Sequence, residues 1–467
     1  MKGIVGHAVR LPAYAVSRDE IARAWQISSP GGQKRCVRFD EDSLTLAATA
    51  AQDCIAGLER AAIGGLLFAS TTAPHLERLN ASLIAAVCDL PAPCATMDLA
   101  SSLRSASSGL QTALSLIEGR QGDTVVVCAG DTRDAEPGSG EEMLFADAGA
   151  AVAVGDQNVI AELVSATTVY DDFLDTVRRD RDEFITSFAS KFSTDRGYVA
   201  PMQTAIQSAL KQGGLTAQQV SKAALTSPDK RSHLQLAKKL GLTENQVQDI
   251  LFNDVGLTGS AMPLILLSAA LECAQPGDII LVAAHGNGAD ALVFRVTDNI
   301  RSYKSGLPIS QQATRVPYAS YTQYRKARDY FRRADNGLEI SNVLYAKEEH
   351  QNVRLHGSEC SHCGTRQFPV TQICVSCRKG DQLREVALAR SGTIFTFAQD
   401  ELYPSPFPPT LMAVVDLAGG GRIYCELVDC LPSDARIGMP VDLMFRKFKE
   451  GGGLYHYYWK CRPGKGL

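Results

Sequence analysis

The chain has 467 residues, 45% apolar and 21% charged, which is too long for one ordinary domain and too apolar for a largely disordered polymer. Its 47 Lys and Arg nearly cancel its 51 Asp and Glu, which argues against a protein whose main task is to neutralise phosphates. No apolar run approaches the roughly 18–20 residues a membrane span needs.

The opening MKGIVGHAVRLPAYAVSRDE reads as a strand and a turn, without the apolar core of a secretion leader. The thirteen cysteines are therefore expected as thiols and a metal site in a cytoplasmic protein, not as a disulfide framework. From residue 1 to about 300, short buried-type runs (Gly64–Ala69, Thr124–Ala129, Ile279–Ala284) alternate with helical stretches, which predicts an α/β fold with both sheet faces covered. This region also repeats. SASSGLQTALSLIEGRQGDTVVVCAGD from Ser105 and SAMPLILLSAALECAQPGDIILVAAHG from Ser260 align without a gap at an offset of 155 residues. Each copy predicts a helix, a Gly-Asp turn (Gly122-Asp123, Gly277-Asp278) and a strand, and a second strand follows at Ala150–Val154 or Ala291–Val296.

From Asp298 to Pro317 the pattern lapses into polar residues, Gly and Pro, and a helix SYTQYRKARDYFRR with a basic face follows. Next come Cys360-Ser-His-Cys363 and Cys374-Val-Ser-Cys377, two CxxC pairs separated by ten residues. A CxxC turn points both sulfurs at one ion, and two such turns complete a tetrahedron of thiolates. Zinc suits a closed four-thiolate structural shell, with rubredoxin-like iron as the alternative. His362 lies within one knuckle, but four cysteines need no substitute. Five β-type runs with Gly/Pro turns (Gly392–Ala398, Thr410–Leu417, Arg422–Val428, Val441–Phe448, Leu454–Cys461) then predict a small barrel. The basic tail (Arg446, Lys447, Lys449, Lys460, Arg462, Lys465) could meet coenzyme A phosphates, RNA or a partner chain. The slightly acidic overall balance argues against nucleic acid.

IARAW, DEDSLTLAATAAQDC, the turn Met97-Asp98-Leu99, AGDTR, LFADAGAAVAVGDQNVIAEL, LAKKLGLTENQV and PGDIILVAAHGNGADALVFRVTD stand in the order found in the thiolase superfamily, and most closely resemble its 3-hydroxy-3-methylglutaryl-CoA synthase branch. GSECSHCGTRQFPVTQICVSC, YPSPFPP and IGMPVDLMFR resemble the zinc-ribbon/OB-fold family often encoded beside thiolases. The resemblance implies a duplicated thiolase-like fold over 1–300, a linker and helix over 301–350, a zinc ribbon over 351–390 and a five-stranded OB-like barrel over 391–467. The family's nucleophilic cysteine, five residues beyond the aspartate of the DL turn, falls at Leu103; the histidine of its His-x-Pro segment falls at Thr226, with Pro228 kept. The asparagine of its GNT turn falls at Leu257, and the synthase's acidic acid/base at Thr71. No cysteine lies within 101–108.

Cys54, Cys88, Cys94, Cys128 and Cys273 read as core thiols, and Lys230 and Arg231 as solvated charges. His285, in a glycine-rich turn after a strand, is a minority catalytic candidate; Ser101 and Ser102 have no adjacent base. The expected function is a non-catalytic subunit of an acyl-CoA thiolase or condensing complex. It would bind a coenzyme A thioester, pair with a catalytic thiolase-like subunit, and keep the capacity to self-associate through its own thiolase-like domain. The alternatives are an active acyltransferase built on unusual residues, such as His285 with a threonine or serine, and a scaffold that binds neither coenzyme A nor substrate.

Overall fold

The computed structural model describes residues 1–119, 123–188, 190–304, 306–312, 316–333, 341–403, 405–451 and 454–464. Gly122 of the first Gly-Asp turn and Lys465 of the tail lie outside these. The strands of the first region are β1 (Gly3–Arg10), β2 (Ile63–Ser70), β3 (Ala95–Ala100), β4 (Thr124–Thr132), β5 (Asp147–Gly155), β6 (Ala161–Tyr170), β7 (Lys222–Leu225), β8 (Ile279–His285) and β9 (Gly288–Val296). They form one sheet in the order β7-β8-β9-β6-β1-β5-β4-β2-β3.

Read outward from the central β6–β1 pair, each half repeats the other. β1, β5 and β4 run antiparallel in turn and β2 lies parallel to β4; β6, β9, β8 and β7 do the same. The repeat in the sequence is therefore a duplicated fold. Only the last position differs: β3 is a full strand, while its counterpart shrinks to a single parallel bridge between Ala223 and Val247.

Helices α1 (Ser43–Cys54), α2 (Ser105–Leu116), α3 (Ala200–Gln212) and α4 (Met262–Glu272) make the layers. Ala106, Leu110, Ala113 and Leu114 put one apolar stripe on α2 at helical spacing. Gly109 lets α2 come close, since a Cβ there would lie 2.8 Å from Leu99 Cδ1. Helix α4 is apolar all round because it packs on strands of both halves and on α2, sharing one core with them. The outer helix α3 covers β9 and β6, and α1 covers β5 and β4. An Asp42–Thr45 capping box starts α1. Unusually for an outer helix, α1 is buried at most positions, because the C-terminal barrel packs against it and the two share a core.

The barrel strands are Ser391–Asp400, Thr410–Leu417, Arg422–Glu426, Pro440–Gly451 and Leu454–Pro463. Their order has 422–426 and 454–463 at the two ends. A bridge between Leu427 and Cys461 links those ends. Alternate side chains of Thr410–Leu417 point inward, as a half-buried strand requires.

Arg446 and Lys460 of the tail and Arg325 and Arg328 of the helix turn inward to carboxylates rather than toward phosphates. Asp40, fully buried, accepts from Arg38 Nη1 and Lys460 Nζ, each at 2.7 Å. Arg446 is 1% exposed and holds Glu41 and Asp429, each at 2.8 Å. In helix Tyr321–Arg333, Arg325 meets Asp134 at 3.1 Å and Arg328 meets Asp147 at 2.6 Å. These four basic side chains are thus half of a charge network with carboxylates of the first domain and the barrel. Cys128, Cys54 and Cys88 are buried as expected, but Cys94 is half-buried and Cys273 exposed. Cys273 caps the C-terminus of α4, where the chain leaves the core. No helix among the described residues is long and apolar enough to cross a membrane.

Candidate acyl pocket and metal centre

A cavity of about 200 Å³ opens where the carboxyl ends of β4, β7 and β8 meet the N-terminal ends of α2 and α4. Ligand sites of α/β sheets lie at strand carboxyl ends. Leu103, on the turn leading into α2, Thr226, just after β7, and Leu257, ahead of α4, all line it. Three positions spread over about 150 residues of sequence thus converge on one pocket. Among the described residues no cysteine lines it.

Thr71 stands apart. Its hydroxyl and amide bind the buried carboxylate of Asp131, at 3.0 and 2.7 Å. Asp131 also accepts from Ser70, Thr72 and the Ser260 amide, and so ties the ends of β2 and β4 to the start of α4. Gly259, at φ +63, is required beside it, because a Cβ there would lie 2.2 Å from Asp131 Oδ2 and 2.9 Å from Arg133 Cδ.

His285 closes the inner wall. Its Nδ1 lies 2.9 Å from Thr226 Oγ1, and its own amide donates to that oxygen at 3.1 Å. The Tyr198 ring meets the imidazole edge-on at 4.9 Å, and its hydroxyl donates to the Thr226 carbonyl at 3.1 Å. Burial, helped by the Arg133 guanidinium, lowers His285 to about 4. The neutral form therefore contributes stability that is complete above the ordinary value of about 6.5 and is lost as pH falls from there through about 4. Accordingly, the His285 ring is expected to show no titration by NMR between about pH 5 and 8; a midpoint near 6.5 would contradict its burial.

Arg133, Phe188, Thr194 and Tyr198 also line the cavity and were not singled out from sequence. AGDTR is visible as a motif. An arginine directly after a buried strand end was the available signal. Lys230 and Arg231 are exposed on their helix.

In the C-terminal third, strands His356–Cys360, Arg366–Gln367 and Leu383–Ala387 carry the two cysteine knuckles. The knuckles are built alike. The amide of Gly364 donates to Cys360 O, and that of Arg378 to Cys374 O, each four residues on; both donors sit at positive φ. The four sulfurs lie within 4.8 Å of one another, with Cys360–Cys377 at 3.7 Å and Cys363–Cys374 at 3.6 Å. Four sulfurs at about 2.3 Å from a tetrahedral zinc stand about 3.8 Å apart, so the residues fit such an ion. His362 turns away to Lys379, at 3.1 Å.

A duplicated α/β half-fold with its pocket at the heads of two central helices defines a thiolase-like condensing-enzyme fold. Residues 210–296 match the 3-oxoacyl-[acyl-carrier-protein] synthase III C-terminal family, and 385–446 match the ChsH2 C-terminal OB-fold domain. A hydroxymethylglutaryl-CoA synthase of Aeropyrum pernix is 31% identical over 343 residues, covering 70% of this chain and 92% of that protein. One of Methanosphaera stadtmanae is 27% identical over 341 residues, covering 70% of this chain and 98% of that protein. The crystal structure of an HMG-CoA synthase complexed with CoA superposes with a TM-score of 0.64 at 16% identity, over 73% of this chain and 95% of that one. The chain belongs to the hydroxymethylglutaryl-CoA synthase family and carries an OB-fold domain in addition.

Proposed function

We propose that this chain is a non-catalytic subunit of an acyl-CoA-processing complex, in which a separate thiolase-like chain supplies the nucleophilic cysteine. The observation that carries the reading is the pocket itself: Leu103, Thr226 and Leu257 stand together at the head of α2. A nucleophile there needs a thiolate at a helix N-terminus, and leucine can neither attack a thioester nor move a proton. The fold shared with a synthase that binds CoA supports a coenzyme A thioester as ligand.

A docking edge is available. β3 ends the sheet with every residue exposed or half-exposed and no strand on its outer side among the described residues. A second chain adding there would lie close to Leu103. That edge suits the catalytic partner or a second copy of this chain. The cysteine cluster would hold a structural zinc: four thiolates close its shell and leave no open position for chemistry.

The purified chain is expected to give no thiolysis and no acyl adduct with acetyl-CoA, by mass spectrometry. It should also co-purify from its own cells with a thiolase-like protein holding an intact cysteine and histidine. Unaided thiolysis would overturn the reading.

A second reading rests on the Thr226–His285 contact, since a neutral imidazole 2.9 Å from a hydroxyl is the geometry of an activated nucleophile. A stable adduct on Thr226 would favour it, and loss of that adduct in His285→Gln would confirm the pairing.

A further inference from the structure

Two imidazoles meet one carboxylate where the last turn of helix Asn342–Asn352 reaches the ribbon sheet. His350 Nδ1 lies 2.6 Å from Glu385 Oε1, and His356 Nδ1 lies 2.7 Å from the same oxygen. His356 pairs with Ala387, two residues beyond Glu385 on the neighbouring antiparallel strand, so the two side chains share a face. The three atoms lie within 4.8 Å of one another. A further carboxylate stands behind each ring: Asp89 Oδ1 is 3.0 Å from His356 Nε2, and Glu349 Oε2 is 3.5 Å from His350 Nε2. Arg354 holds both of these, with Nε 3.0 Å from Glu349 and Nη1 3.4 Å from Asp89.

A neutral imidazole carries one N–H. When Asp89 takes that of His356, the Nδ1 lone pair is left facing a carboxylate oxygen. Protonating both rings instead sets two cations side by side, with centroids 5.4 Å apart. A metal ion among the three inner atoms removes the conflict, and carboxylates on the outer ring nitrogens are what metal-bound histidines use to fix their tautomer. The charges agree, since Glu385, Asp89 and Glu349 against Arg354 leave two negative charges for a divalent cation to neutralise.

We propose that His350, His356 and Glu385 form a second metal site, for a divalent transition ion such as zinc, with water completing its shell. Two imidazoles and one carboxylate are the ligand set of open zinc sites, whereas magnesium and calcium take oxygen. Ligands around a tetrahedral zinc stand about 3.4 Å apart. The two N–O separations must therefore open slightly, and His350 and Glu385, at 58% and 40% exposure, are free to turn. The site lies at the other end of strand His356–Cys360 from the cysteine cluster and is independent of the acyl pocket. An ion here pins the helix to the ribbon, and through Asp89 to the first domain.

Half-exposed ligands let the ion exchange, so dialysis empties this site and leaves the thiolate cluster filled. Calorimetric titration of the dialysed full chain with zinc is expected to show one equivalent more than in His350→Ala, and magnesium none. His350→Ala and Glu385→Gln should each weaken that binding by more than the roughly 10–100-fold that losing an outer partner costs. Asp89→Asn, which tolerates the left-handed backbone at φ +55, should weaken it by about that amount. Cobalt in place of the second zinc should show no thiolate-to-metal charge-transfer band. No difference in uptake between wild type and both inner-ligand variants would overturn the inference, as would a thiolate band on the additional equivalent. Counting the difference keeps an empty cysteine cluster from mimicking the result.

Discussion

Replacing Cys374 with serine, or stripping the metal with a chelator, is expected to unfold the 356–387 segment while the thiolase-like region keeps its melting temperature to within a few degrees. The segment has three strands of five, two and five residues, too little to bury a core of its own. Its most deeply buried side chains include Cys360 and Cys374 of the candidate cluster. In small units of this kind the metal supplies folding free energy directly, on the order of 10–16 kcal/mol for zinc with four good ligands. Metal analysis should give one zinc per chain, and limited proteolysis of the chelated protein should cut first within 356–387. Well under one equivalent of metal with the segment still protected would refute this.

The second large effect is expected at Asp40. Its carboxylate faces Arg38 and Lys460 at 2.7 Å and Arg446 at 3.7 Å, with all four side chains at or below 8% exposure. Burial by itself would raise its pKa, but the three cations outweigh burial and hold the carboxyl well below the usual range. Asp40→Ala would leave them facing one another with only Glu426, Glu41 and Asp429 to compensate, a loss of about 3–5 kcal/mol.

Arg446 and Lys460 belong to the barrel and Arg38 and Asp40 to the first domain, so the expected failure is separation of the barrel from α1. Since the folded pKa of Asp40 is depressed, its contribution is complete above the unfolded value of about 4 and lost as pH falls below that. Wild-type protein should therefore undock in acid, and Asp40→Ala should already be weakened at pH 7. The urea midpoint at pH 7 and pH 3.5 reads both. A variant within about 0.5 kcal/mol of wild type at pH 7 would show that the apolar contacts of α1 hold the barrel alone.

Local patterns carried much of the fold. The gap-free repeat foretold the two mirrored half-sheets because helix and strand periodicities are set by residues a few positions apart. The five barrel strands were legible in the same way, with Thr410–Leu417 at its observed limits and the others within a few residues. The four-cysteine cluster was legible because a knuckle needs two cysteines in one turn.

The charges of the tail were not. Lys460 finds Asp40 across 420 positions of sequence, and nothing local distinguishes such a lysine from one that waits for a phosphate. Cys273 misled similarly, since its apolar neighbours belong to α4 but its own place at the helix end faces solvent.

By itself the sequence determined the duplicated α/β class, the barrel, the four-cysteine cluster and the absence of a cysteine from 101–108, because each depends on spacing within one segment. Only the tertiary structure decided that Leu103, Thr226, Leu257 and His285 share a pocket while Thr71 serves the Asp131 scaffold, that Arg133 lines that pocket stacked on Phe145, and that Arg446 and Lys460 of the barrel pair with Glu41 and Asp40 just ahead of α1. Those outcomes turn on which distant groups leave water together, and burial of a charge is a property of the assembled fold, not of any window of the chain.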